Sequence, residues 1–203
     1  MPIPSFVGSA PRLIGAAGAA LVLAACDGGL TDAAPVDPGA TLTVDASSAT
    51  AWALVDLGSP ARLVQAADPA SSPAWDIAFR TTAVTVNGGT SGPADVVAYC
   101  VCQNESATNE QVKTMTPESE LADFQAVTRA QIPAAGAAWS AAALDQKKWY
   151  RYNITGSDHQ VWPTHDVYLV KRGEEVYKVQ LTGYYGADGK PRQITFRYAK
   201  LAG

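Results

Sequence analysis

From residue 75 onward, large apolar residues alternate with polar ones along most of the chain. In Trp75-Asp76-Ile77-Ala78-Phe79-Arg80 they fall on odd numbers, which puts them on one face of a strand. Thr82 to Val86 continues in β-branched residues and stops at Asn87-Gly88-Gly89-Thr90-Ser91-Gly92-Pro93, a turn or loop signal. Asp95 to Val101 reads as the next strand. Alternation returns in Trp149-Tyr150-Arg151-Tyr152-Asn153-Ile154, in Val167 to Val170 and in Glu175 to Leu181. Gly186 to Pro191 reads as a hairpin connection, followed by a last strand with Ile194, Phe196 and Tyr198 on one face. Strands with turn residues between them predict an all-β, antiparallel, sandwich-like domain.

The middle of the chain breaks this rhythm. Residues 103–146 are polar and Ala-rich, and Thr116-Pro117-Glu118-Ser119-Glu120 carries the marks of a helix start. Pro near the first turn and acidic residues at the positive end suit that position, and Leu121, Phe124 and Val127 follow at three-residue spacing. The expectation is long loops with one or two short helical turns resting on the β core.

The N-terminus has a different character. After Arg12 comes an apolar, Ala-rich stretch ending in Leu21-Val22-Leu23-Ala24-Ala25-Cys26, the layout of a secretory signal. The run from Leu13 to Ala25 is 13 residues, short of the roughly 20 that a membrane span needs. Small residues directly before Cys26 resemble the bacterial lipobox, which implies a signal peptide over 1–25, a lipid on Cys26 and anchoring at a membrane surface. Asp27 resembles an inner-membrane retention signal. The outer membrane is favoured all the same, with the inner one left open. Residues 27–48 have no aromatics and are rich in Ala, Asp, Gly, Pro and Ser, so residues 26–48 read as a lipidated start and tether. The folded domain is expected over 49–203, with Trp52 its first large apolar side chain.

Charge narrows the function classes. The chain carries 15 basic and 19 acidic residues; the signal segment removes one basic, leaving 14 against 19, a net charge of −5. No basic stripe for nucleic acid is present. Nucleophile elbow, phosphate loop, dinucleotide fingerprint and HExxH run are all missing, so a binding role is expected rather than an enzyme. Cys100 and Cys102, one residue apart, read as two reduced thiols, with an oxidised or metal-touching pair as the alternatives. The only two histidines, His159 and His165, sit together in a connection between strands, where an imidazole can ligate a metal or haem iron.

The strings WDIAF (75–79), NGGTSG (87–92), WYRY (149–152), VYLVKR (167–172), YKVQLTGYY (177–185) and ITFRY (194–198), in this order, resemble the HmuY family of haem-binding bacterial lipoproteins. The resemblance runs from about Trp52 to Tyr198. It implies an all-β fold, a lipid anchor and capture of haem for a TonB-dependent outer-membrane receptor. It also implies that two side chains hold the iron, His–His in some members and Met–Met in others. His159 lies where the second ligand is expected, with His165 as the nearby alternative. The segment expected to supply the first, residues 93–148, contains no His and offers Met115, with Cys100 and Cys102 as weaker candidates. A pocket for a flat macrocycle could draw surface from Trp139, Trp149, Trp162 and Tyr150, and cations from Lys147, Lys148 or Arg151. The alternative function is a structural or interaction module of the envelope that keeps the scaffold without haem.

Overall fold

In a computed structural model that describes residues 38–134, 138–146 and 148–202, the alternating segments form two antiparallel sheets packed face to face. The strands are β1 (Ala40–Asp45), β2 (Ala53–Asp56), β3 (Arg62–Val64), β4 (Ile77–Arg80), β5 (Ala83–Val86), β6 (Val97–Cys100), β7 (Tyr150–Tyr152), β8 (Val161–Pro163), β9 (Val167–Arg172), β10 (Glu175–Tyr185) and β11 (Pro191–Lys200). One sheet runs β1-β11-β10-β9-β6, the other β3-β2-β4-β5, and β7 and β8 form a separate two-stranded ribbon. The signal segment, Cys26 and the first part of the expected tether lie outside the described residues.

The main core lies between the sheets. Ile77, Phe79, Val84 and Val86 meet Tyr168, Val179, Leu181, Ile194 and Phe196 there, and the Phe79 and Phe196 rings stack at 5.2 Å. Strand β9 is buried on both faces because side chains alternate. Tyr168 and Val170 enter this core, while Val167 and Leu169 enter a second one with Phe124, Val127 and Val176. That outer cluster is roofed by α2 (Leu121–Ala126), whose C-terminal end is tied down by Lys178. The Lys178 Nζ donates to the carbonyls of Phe124 at 2.8 Å and Val127 at 3.1 Å.

Two further helices, α1 (Asn109–Thr114) and α3 (Ala143–Gln146), complete the middle segment. The expected helix through 116–128 exists over a shorter span. α1 was not expected, although Thr108 and Gln111 form a capping box at its start.

The NGGTSG string is a packing device. Asn87 is fully buried; its amide donates to the carbonyls of Ser72 at 2.9 Å and Trp75 at 2.8 Å and accepts from the Ala94 N–H. A Cβ at Gly92 would sit 1.9 Å from Asn87 Oδ1, and one at Gly88 would sit 2.1 Å from the Val96 carbonyl oxygen. Only glycine fits either position.

The tether expectation needs one correction. Residues 40–45, read as tether for want of aromatics, form β1 and pair with β11 from Ala40↔Tyr198 to Asp45↔Gln193. Val44 is fully buried and Ala46 nearly so, because the edge of β11 offers a complete ladder to even a weakly apolar partner. A chain trimmed to begin at Ala49 is therefore expected to lose at least about 2 kcal/mol against one beginning at residue 38. Urea unfolding of the two chains measures this, and equal midpoints and slopes would refute it.

Candidate functional site

The ribbon β7–β8 is too short to hold itself, and the body of the domain fixes it at several points. Trp149, just before β7, is buried, and its indole N–H donates to the Thr82 carbonyl at 3.0 Å. Tyr150 Oη reaches Thr82 Oγ1 at 3.4 Å, and the Val161 N–H donates to Tyr185 Oη at 3.1 Å. Alternation then puts Tyr150 and Tyr152 on one face of β7 and Arg151 on the other.

Facing them is the far end of β10. Its register with β11 shifts between Leu181 and Gly183 and again between Gly183 and Tyr185. In a regular strand Tyr184 and Tyr185 would point to opposite faces; the bulges bring both to one cleft. The cleft, about 560 Å³, is lined by Tyr150, Tyr152, His159, Tyr184, Tyr185 and Arg192 together with Thr82, Val161 and Pro191. Its size falls within the roughly 300–1,000 Å³ usual for small-molecule sites. Tyr152 is 56% exposed and Tyr185 39%, uncommon values for aromatics of a β domain.

His159 enters this cleft from the β7–β8 loop. Its backbone is left-handed (φ 49°), and its N–H donates to Asn153 Oδ1 at 3.0 Å. Asn153, also left-handed (φ 53°), donates its own N–H to the Gln160 carbonyl and closes the loop. This places the exposed imidazole with Nδ1 3.1 Å from Tyr152 Oη, the donor being set by the tautomer. Sequence reasoning named His159 and missed Tyr152, Tyr185 and Arg192. An aromatic on a strand reads as core, and only the third dimension shows these left outside it.

The other candidates lie elsewhere. Met115 ends α1 and is half-buried. Arg151 binds the start of α1 from the opposite face of β7, through Asn109 Oδ1 at 2.7 Å and the Ala107 carbonyl, and Met115 is not among the residues that line the His159 cleft. The expected His159–Met115 pair is therefore not formed by the lining of this cleft. Cys100 and Cys102 form a disulfide rather than two reduced thiols. A left-handed Cys102 (φ 55°) brings their Cα atoms to 5.0 Å, which makes so short a bridge feasible. Their sulfurs and an Asp166 oxygen lie within 4.8 Å of one another, but a disulfide offers no thiolate to a metal. Lys148 and Arg151 line a second cleft beside that bridge, and Lys147 lies outside the described residues.

His165, 2% exposed, lines neither of these clefts, and its Nδ1 has no hydrogen-bond partner among the described residues. Its carbonyl accepts from Gln180 Nε2 at 2.8 Å, and Gln180 Oε1 accepts from Arg197, so the residue belongs to the packing under the middle segment. Burial pushes its pKa down from 6.5 to about 4. Between those values the unfolded chain binds the proton that the folded chain refuses, so stability falls as pH drops through this window. The loss from this one group amounts to about 3 kcal/mol. His165→Asn, which tolerates the left-handed backbone (φ 55°), is expected to remove that dependence from urea unfolding between pH 6.5 and pH 4. Parallel pH profiles for the two proteins would show that His165 is not held neutral.

Comparison with known proteins places the chain. No curated protein matches it. Among solved structures, an apo HmuY analog of Tannerella forsythia aligns over 81% of this chain and 96% of its own, at 13% identity and a TM-score of 0.49. An HmuY-like candidate haem-binding protein of Bacteroides vulgatus aligns over 80% and 93%, at 18% identity and 0.47. A candidate lipoprotein of Bacteroides fragilis aligns over 78% and 86%, at 18% identity and 0.45. The family model of the HmuY protein matches residues 48–198, nearly the whole described domain, and the chain belongs to the HmuY family.

Proposed function

We propose that this chain is a haem-binding protein of the bacterial envelope, anchored through a lipid on Cys26, that captures haem for transfer to a TonB-dependent outer-membrane receptor. Membership of the HmuY family supports the class of ligand. The anchor rests on the lipobox-like string ending at Cys26, and no helix among the described residues is long and apolar enough to cross a membrane. The receptor rests on the family alone.

The observation that carries the reading is the cleft between β7–β8 and the end of β10. A porphyrin needs flat apolar walls, a donor for iron and a cation for its carboxylates. Tyr150, Tyr184 and Tyr185 supply walls. Tyr152 and His159 supply oxygen and nitrogen donors of the kinds that hold haem iron. Arg192 lines the same cleft, and no carboxylate pairs with its guanidinium among the described residues. The donor set therefore fits haem, although not as the His159–Met115 pair.

Missing that pair favours the second reading, an envelope interaction module that keeps the scaffold without haem. Titration separates the two. The chain from residue 27 onward contains the whole compact unit 35–203, and with haemin it is expected to give a saturable change in the Soret band at one equivalent. His159→Ala is expected to weaken binding about tenfold or more, equal to about 1.4 kcal/mol. A change that grows linearly without saturation, in ferric and ferrous states alike, would leave only the module.

A further inference from the structure

The Cys100–Cys102 bridge fastens nothing that other bonds do not already fasten. It closes a loop with a single residue inside it, and the stability a disulfide supplies grows with the length of chain it closes. Before the bridge, Cys100 pairs with Tyr168 in the β6–β9 ladder, and the Val101 N–H donates to the Val167 carbonyl at 2.9 Å. After it, Gln103 Oε1 accepts from the Val167 N–H at 3.2 Å. Asn104 donates its N–H to Asp166 at 2.8 Å and its side-chain amide to the Thr164 carbonyl at 3.0 Å. Opening the bridge therefore leaves the backbone of both cysteines in place. The two sulfurs are also unequal. Cys100 is 9% exposed and belongs to the main core, whereas the half-buried Cys102 lines the second cleft, about 350 Å³ in volume. Charges of both signs line that cleft. Glu105 is brought there by a turn in which its N–H donates to the Cys102 carbonyl, and Lys148 and Arg151 stand with it. Arg151 is engaged with Asn109 and the Ala107 carbonyl, so the exposed Lys148 is the cation that can turn to a small guest.

We propose that Cys100–Cys102 is a redox-active disulfide that takes two electrons from a small zwitterionic thiol, an α-amino acid thiol bound in the second cleft. The ammonium of the guest meets Glu105 and its carboxylate meets Lys148, with the thiol at Cys102. That thiol gives its proton to water, and its sulfur attacks Cys102 Sγ. A mixed disulfide forms there as the Cys100–Cys102 bond breaks. The electron pair of that bond passes to Cys100 Sγ, which takes a proton from water. A second molecule of the thiol then attacks the guest's sulfur in the mixed disulfide and expels Cys102, which is protonated in turn. Two thiols leave as one disulfide, and the protein's disulfide becomes two thiols. None of this depends on the haem reading, since the two clefts share only Tyr150 in their linings.

The test uses the chain from residue 27 onward, in which Cys100 and Cys102 are the only cysteines. L-Cysteine is the probe and 2-mercaptoethanol the uncharged control, at equal thiolate concentrations. Acid quenching, alkylation and tandem mass spectrometry report which sulfur has reacted. With two surface ion pairs to the guest, L-cysteine is expected to open the bridge of the native protein about tenfold faster than the control. The transient adduct is expected on Cys102 and the alkyl label on Cys100, and the opened protein is expected to keep its circular dichroism. Lys148→Ala and Glu105→Gln, both at exposed positions, are each expected to cut the preference about threefold. Circular dichroism confirms that each variant is folded, and the wild-type comparison of the two thiols stands without them. Equal rates for the two thiols, or a preference that survives both substitutions, would refute the thiol site. An adduct on Cys100 would put the attack at the wrong sulfur, and opening only once urea unfolds the chain would make the bridge inert in the native fold. Either result overturns the assignment.

Discussion

Closure of the two sheets over Phe79 and Phe196 is the constraint on which the other features of this domain depend. Those rings stack from opposite sheets, and the residues around them are buried from both sides. Once the layers close at that depth, the five-stranded sheet has its opposite face free, and α2 with Phe124 and Val127 covers it. The ribbon β7–β8 belongs to neither sheet. It is held where it touches the rim of the core, above all through the buried Trp149 and its bond to the Thr82 carbonyl, and by Arg151 to α1. The cleft is the space between that ribbon and the bulged end of β10. Its geometry is set by the core, and its walls combine the core residues Tyr184 and Val161 with the exposed Tyr152 and Tyr185.

Burial of polar groups follows the same logic. Asp76 is 3% exposed, and burial raises its pKa against the pull of its partners. The Leu57 N–H at 2.7 Å and Arg172 at 3.0 Å satisfy its oxygens and link the four-stranded sheet to β9. Asp166, also buried and raised by burial, accepts from the Asn104 N–H and Thr164 Oγ1, both at 2.8 Å. Each carboxylate joins segments distant in sequence, at the desolvation cost that such a group carries. Neither faces the cleft, which separates the charges that hold the fold from the groups available to a ligand.

How much of this was legible beforehand depended on the length scale of the signal. Strands β4, β5, β9, β10 and β11 were readable because alternation over four to eleven residues is a local pattern that the sheets simply bury. Strand β1 was not, since Leu42 and Val44 are too few to mark a strand until β11 supplies the partner. The Cys100–Cys102 bridge escaped because it needs a left-handed residue at Cys102, which spacing does not reveal. At the site, His159 was visible as one of only two histidines, and Met115 was visible for the wrong reason. It is the only methionine of the middle segment, and Arg151 pins its helix to the other face of the ribbon. Tyr152 and Tyr185 resemble every other strand aromatic until exposure tells them apart.

A site built at the rim from a ribbon and a bulge has consequences for binding. The β7–β8 loop holds His159 and Asn153 in left-handed backbone that costs free energy for residues with a side chain, and the loop hydrogen bonds Asn153 N–H to Gln160 and His159 N–H to Asn153 Oδ1 offset it. Loops of this kind open at lower free energy than the sheets beneath them. The ribbon meets the five-stranded sheet through the Val161 N–H bond to Tyr185, the Trp149–Tyr184 contact at 6.3 Å and the burial of Val161 in the main core. A ligand seated there would meet the end of β10 on one side and the loop-borne His159 on the other.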